Sequence, residues 1–362
     1  MVPYIHNCGI PLKSLTKLGT METDNNNEDY FLVVGDEQRD QSRLCLLRVE
    51  QLLVDDSVKT HSLFETKLDG SLHNVEALNS CGLFGGIMEE NRWKNQHRQA
   101  LALHIYKVSL NEEEPKFSTQ NLKTSIPLDR TMDTSWHYVR LVADRSSPQI
   151  AAVSSDKLLL FHYEKESTES FPLSPQDSCY WKPCGDWQPD NTGNHLMIGR
   201  GQSVQLWDVR SQDTRTDLVV FPSFGQILVV RYFPLRQHFL VGGFSSGKVV
   251  VWDIRSPSQP VVSWTAHHHA IFDIKSNGSH ERLVASCGTD SLVHIWDMEE
   301  LFSKEQPHST TCVPCTSFEY HSDTIYALEW GTLNEFMMTS VGYDGKFIAA
   351  TIPSFVRRSL FT

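Results

Sequence analysis

Three Trp-Asp pairs constrain the fold of this chain more than any other feature. They stand at Trp207-Asp208, Trp252-Asp253 and Trp296-Asp297, so the tryptophans are 45 and 44 residues apart. The segments ending on the last two pairs are QILVVRYFPLRQHFLVGGFSSGKVVVWD from Gln226 and AIFDIKSNGSHERLVASCGTDSLVHIWD from Ala270. Each holds three short β-rich runs cut by turn residues. Leu292 to Trp296 alternates as a strand with one buried face, and Gly288-Thr289-Asp290 supplies the turn before it.

The period matches the interval of about 40–45 residues for four-stranded blades of a WD-repeat β-propeller. Seven such blades need roughly 315 residues, and the chain has 362. The expectation is therefore an all-β, seven-bladed WD40 β-propeller, a single domain over residues 1–362. A propeller closes its ring by donating an N-terminal strand to the last blade, and the final repeat here is one strand short, so Val2–Cys8 is assigned to that closure.

Residue types inside a blade follow from the need to satisfy buried polar groups. In blade six the convergent set is His267, Ser286, Asp290 and Trp296: a buried indole N–H needs an acceptor, and a buried His and Asp need each other. Each net hydrogen bond contributes roughly 0.5–1.5 kcal/mol, whereas stranding one partner costs about 1–3 kcal/mol. This is a structural network, with no catalytic residue expected. Blade five departs from it: Ser223 stands where the entering His would be and Ser246 where the turn Asp would be, so apolar packing must hold that blade.

Charge and cysteine usage exclude other classes. A formal net charge of -12 argues against a nucleic-acid groove, which needs clustered Lys and Arg. The eight cysteines are scattered, with no disulfide framework, which points to a reducing compartment. The start, MVPYIHNCGIPLKS, lacks a basic segment followed by an apolar core, and no run is apolar and long enough to span a bilayer.

Along the chain, Tyr4–Ile10 and Pro11–Leu18 are extended candidates, and Asp24–Asp29 is too polar for a core and is assigned to a solvated loop. Blade one then takes Phe31–Gly35, Leu44–Val49 and Val58–Phe64. Blade two takes Leu72–Leu78, Gly82–Met88, Ala100–Val108 and Phe117–Leu122, with an exposed charged connection at Glu89–Arg98. Blade three runs from His137–Val142 through Ile150–Val153 to Leu158–Tyr163, and blade four from about Tyr180 to Trp207-Asp208. Met298–Pro314 is a loop insertion. The last blade is Thr324–Trp330, Phe336–Val341 and Lys346–Ile352, with Ala350 in the Trp position.

Collinear motifs carry a closer resemblance: KSLT at 13–16, FLVVG at 31–35, SLHNV at 71–75, SSDKLLLF at 154–161, GDWQP at 185–189, WDIRSPSQPV at 252–261, AHHHAIFDI at 266–274 and HSDTIYALEW at 321–330. Their order resembles the EARP- and GARP-complex-interacting WD-repeat family. The resemblance implies a non-enzymatic cytoplasmic adaptor, peripheral at endosomes and the trans-Golgi network. It would bind endosome-associated (EARP) and Golgi-associated (GARP) tethering complexes and support endosomal recycling, retrograde transport and maturation of secretory dense-core vesicles. The partners it implies are protein complexes, with the chain a monomer inside a larger assembly, without cofactor, nucleic acid or membrane insertion.

A rival uses the same residues. Trp207 to Arg210 and Trp252 to Arg255 match the WDxR signature that resembles substrate receptors of cullin-RING ubiquitin ligases, with Arg210 and Arg255 offered to an adaptor. The plainer reading has each Arg solvated or paired with its Asp. An enzyme is the weakest class: no G-x-S-x-G or phosphate loop occurs. His267-His268-His269 are adjacent and on a strand would point to opposite faces, without a placed carboxylate, so no metal site is assigned. Cys312-Val-Pro-Cys315 is one CxxC beside His308, weak evidence for zinc. The Asn277-Gly-Ser sequon is taken as a turn.

Overall fold

The computed structural model describes residues 3–360 apart from 23–26, 39–40, 52–57, 79–81, 91–99, 109–121, 128–139, 145–146, 155–156, 174–181, 191, 211–214, 219, 221 and 300–312. Its strands form seven four-stranded sheets, the arrangement of a seven-bladed β-propeller. The strands form where β-branched and aliphatic residues dominate. Lys248–Asp253 (KVVVWD) and Leu283–Gly288 (LVASCG) are buried along consecutive residues, as befits sheets covered on both faces. The chain divides into two compact units, Met1–Asp133 with Gly331–Pro353, and Thr134–Trp330 with Ser354–Thr362.

In the first unit, blade one consists of Leu12–Glu22, Asn27–Gln38, Gln41–Gln51 and Val58–Asp69. Blade two consists of Ser71–Ala77, Leu83–Glu90, Ala100–Lys107 and Leu122–Pro127. Tyr4–Asn7 runs antiparallel to the last strand of the chain, pairing Tyr4 with Ala349 and Asn7 with Lys346, so the closing N-terminal strand lies within the expected Val2–Cys8. Blades one and two are tied through side chains: Ser14 and Thr16 hydroxyls accept the Val75 and Ala77 amides at 3.2 and 3.0 Å.

Three sequence expectations are corrected here. The stretch Pro11–Leu18, left outside any blade, is the core of blade one's first strand, with Leu12, Leu15 and Leu18 buried. The polar run assigned to a loop is described from Asn27 onward, and there it is strand: Asp29 is 1% exposed. Its side chain accepts the Thr332 amide at 2.9 Å and the Thr20 hydroxyl at 2.8 Å, so each buried carboxyl oxygen has a donor. The fourth strand of blade two is Leu122–Pro127 rather than Phe117–Leu122; residues 117–121, like most of the Glu89–Arg98 connection, lie outside the described residues.

In the second unit, blade three is Arg140–Ala143, Gln149–Val153, Lys157–His162 and Ser167–Pro172, and blade four is Cys184–Trp187, His195–Arg200, Ser203–Asp208 and Arg215–Leu218. Blade five is Ile227–Phe233, Arg236–Phe244, Lys248–Asp253 and Val262–Thr265, and blade six is Ile271–Ser276, Leu283–Gly288, Val293–Asp297 and Thr316–Phe318. Residues 137–139 and 180, expected at the starts of blades three and four, lie outside the described residues.

The regular tryptophan spacing has a packing cause. Trp207 lies in an apolar cluster built from blades three and four, Trp252 in one from blades four and five, and Trp296 in one from blades five and six. Each indole therefore fills the seam with the preceding blade, and one per blade suffices. Trp252 leaves no room for a side chain at Gly242, whose Cβ would lie 2.8 Å from its ring. In blade five Ser246 Oγ donates to the Phe224 carbonyl at 2.6 Å and Ser245 Oγ accepts the Gln226 amide at 3.0 Å. Those bonds stand in place of a His–Asp pair, with Phe244 and Trp252 tilted together at 6.1 Å.

Candidate functional site

Blade six assembles its polar network from three separated pieces of chain. His267 enters in the turn before Ile271, Ser286 comes from the second strand, Asp290 from the next turn and Trp296 from the third strand. His267 Nδ1 lies 2.9 and 3.0 Å from the two Asp290 oxygens, and its Nε2 lies 2.8 Å from Ser286 Oγ. Trp296 Nε1 donates to the same Ser286 Oγ at 2.9 Å. The indole proton can only be donated, so Ser286 accepts it and passes its own hydrogen to Nε2; Nδ1–H then faces Asp290. Burial raises the Asp290 carboxyl, but the His267 hydrogen bond and charge, together with the Leu292 and His268 amides, outweigh it and leave the group below its ordinary value.

The three histidines lie in a turn, not on a strand, which corrects the reason given for separating them: His267 is buried, while His268 and His269 are both exposed. His294, a residue the sequence did not single out, packs at a tilt against His267 with ring centroids 4.7 Å apart, and its Nδ1 lies 2.7 Å from Ser317 Oγ. Burial, reinforced by His267, pushes the His294 imidazole down to about 4, so it is neutral at pH 7. Asn277 Oδ1 accepts the Ser279 and His280 amides at 2.8 and 2.9 Å, the hydrogen-bonded turn expected of that sequon.

Each Trp-Asp carboxylate is held by a guanidinium. Arg210 binds Asp208 through Nε and Nη2 at 3.0 and 2.8 Å, and Arg255 grips Asp253 with Nε at 2.9 Å. The Arg210 bond pulls Asp208 down to about 2, and Arg255 likewise lowers Asp253. Both arginine side chains are about three-fifths exposed, at 62% and 61%, so water screens the pairs. Asp297 has no Arg two residues on; Arg282 replaces it, its Nε donating at 2.7 Å. Arg282 also donates to the Leu360 carbonyl at 2.8 Å, fastening the helix Ser354–Ser359 beside blade six.

Further residues that the sequence reading missed join successive blades. Asp186 accepts the Tyr232 amide at 2.8 Å, and Asp273 accepts the Leu328 amide at 3.0 Å. Trp187 Nε1 donates to the Val142 carbonyl at 3.0 Å and Trp330 Nε1 to the Lys275 carbonyl at 2.9 Å. Arg231, 10% exposed, sits between Asp186 and Asp273 at 3.6 and 3.7 Å. The available signal was a charged residue inside an otherwise apolar run, as in AIFDIKS and LVVRYF. Cys312 and His308 lie outside the described residues; Cys315 Sγ contacts the Ile295 carbonyl at 3.2 Å and burial raises its thiol to about 11. No helix among the described residues is long and apolar enough to cross a membrane.

No protein-family model matches the chain. It is similar to an EARP-interacting protein homolog of Gekko japonicus, 24% identical over 67% of this chain and 70% of the relative. It is similar also to EARP and GARP complex-interacting protein 1 of Homo sapiens, 21% identical over 67% of this chain and 68% of the relative. A third relative is WD repeat-containing protein DWA2 of Arabidopsis thaliana, 25% identical over 46% of the chain and 50% of the relative.

Proposed function

We propose that this chain is a non-enzymatic WD-repeat adaptor, one domain over residues 1–362, that binds the EARP and GARP tethering complexes as a monomer within a larger assembly. On this reading it works in the cytoplasm, peripheral at endosomes and the trans-Golgi network, and supports endosomal recycling, retrograde transport and dense-core vesicle maturation. The observation that carries the proposal is the likeness, over two thirds of the chain, to a gecko relative whose name states an EARP interaction and a human relative whose name states EARP and GARP interactions. Blades fixed by internal bonding support it physically, because loops held by rigid sheets present partner-binding side chains at low entropic cost. His267, Ser286, Asp290 and Trp296 serve that rigidity and take no part in turnover.

The test is recovery of tether subunits from cytosol on the folded, tagged chain. Their enrichment over an unrelated propeller is the expected result, and their absence with a folded bait rejects the proposal.

The ligase reading is separated by one variant. Because Arg210 and Arg255 are turned onto their own aspartates and exposed, the double Arg210→Ala, Arg255→Ala protein is expected to keep the parent's melting temperature and its tether recovery. A ligase adaptor bound by the parent and lost by the double variant would instead favour the receptor role.

A further inference from the structure

Blade six gathers at one edge three side chains of the types that ligate metals. His267 in the entering turn, Asp290 in the turn between strands and His294 on the third strand each offer a ligand atom, and those atoms lie within 4.8 Å of one another. We propose that this cluster is a binding site for a divalent transition-metal cation of the zinc class, held by His267 Nδ1, an Asp290 carboxylate oxygen and the His294 imidazole, with water completing the shell.

The donor set selects the ion. Two imidazole nitrogens with one carboxylate oxygen suit zinc and its neighbours, whereas calcium and magnesium require shells of oxygen. Three protein ligands and an open position form a recurrent zinc arrangement. Ligand atoms around zinc at about 2.0–2.2 Å stand roughly 3.3–3.5 Å apart, so the His267–Asp290 pair, now at 2.9–3.0 Å, has to open slightly while rotation of the half-buried His294 brings its ring nitrogen closer.

The surroundings already contain what orients metal-bound histidines. A ligating imidazole is fixed by a hydrogen bond at its other nitrogen. His267 has such a partner in Ser286 Oγ at 2.8 Å, and His294 has one in Ser317 Oγ at 2.7 Å. Binding is compatible with the blade network if the neutral His267 ring carries its proton on Nε2 instead of Nδ1. Ser286 then accepts from both Trp296 and His267, and the Nδ1 contact to Asp290 is exchanged for two bonds to the cation. The sequence concealed the site because its ligands are 23 and 27 residues from His267 and meet only when the second and third strands pair.

Zinc chloride added to the chelator-treated full chain tests this, with thermal melting as one readout and cobalt(II) absorption as the other. Excess zinc is expected to raise the melting temperature by about 2 °C or more, reversibly with chelator, and cobalt to give the visible bands of a low-coordinate nitrogen–oxygen site. His294→Ala, which leaves the Trp296–Ser286–His267–Asp290 bonds intact, is expected to stay folded, with a somewhat lower melting temperature from lost ring packing, and to lose both metal responses. His294→Gln serves the same purpose if the alanine variant is unstable. No shift in the parent, or the same shift in the His294 variants with binding through the cysteines, overturns the proposal.

Discussion

Trp296→Ala is expected to lower the free energy of unfolding by about 3–5 kcal/mol, read from denaturant titration of the variant beside the parent. Two losses combine. The indole is 2% exposed and stands edge-on to Trp264 at 5.4 Å in the seam between blades five and six, so truncation opens a cavity whose walls belong to two sheets. Its N–H is also the donor that fixes the orientation of Ser286 and, through it, the tautomer of His267. Trp296→Phe separates the contributions, because it restores most of the volume without the donor and is expected to cost about 1–3 kcal/mol. Equal stability of the alanine variant and the parent would show that Trp296 does not hold the seam.

Asp273→Ala is the second large effect, about 3 kcal/mol or more. The side chain is 5% exposed, accepts the Leu328 amide at 3.0 Å and lies 3.7 Å from the Arg231 guanidinium. Removing it strands a buried backbone N–H and half of the counter-charge of a cation that is itself 10% exposed. Asp186 remains on the other side of Arg231 at 3.6 Å, which keeps the loss from growing further. Asp273→Asn retains an acceptor for Leu328 and is expected to cost clearly less. If the two variants unfold together, charge and amide capping at this position are interchangeable and the assigned role of Arg231 is wrong.

These two residues also show where sequence reasoning reached and where it stopped. Trp296 was legible because the seam recurs with every blade, so the indole recurs at blade spacing, and the bonding needs of an indole and an imidazole restrict the partners to a few residue types. Tyr4–Asn7 was legible for a similar reason: a repeat lacking one strand needs it from elsewhere. Asp273 and Arg231 were not, because a charged residue in a strand looks like the solvent face of an alternating pattern until the neighbouring blade covers it. Asp29 misled in the same way, its acidic neighbours suggesting water when its own carboxylate caps the turn at Thr332. The partner of Asp297 was hidden too, since Arg282 lies across the hairpin rather than two positions on, where the other two blades have theirs. His294 escaped notice because alternation alone cannot distinguish a half-buried histidine over another ring from one in solvent.

The adaptor account is tested most directly by binding between purified components. The full chain and a reconstituted EARP or GARP tether, mixed at micromolar concentration and followed by calorimetry or by co-elution, are expected to form a stable complex that the Arg210→Ala, Arg255→Ala protein forms equally well. Failure of the folded chain to bind either tether would contradict the account.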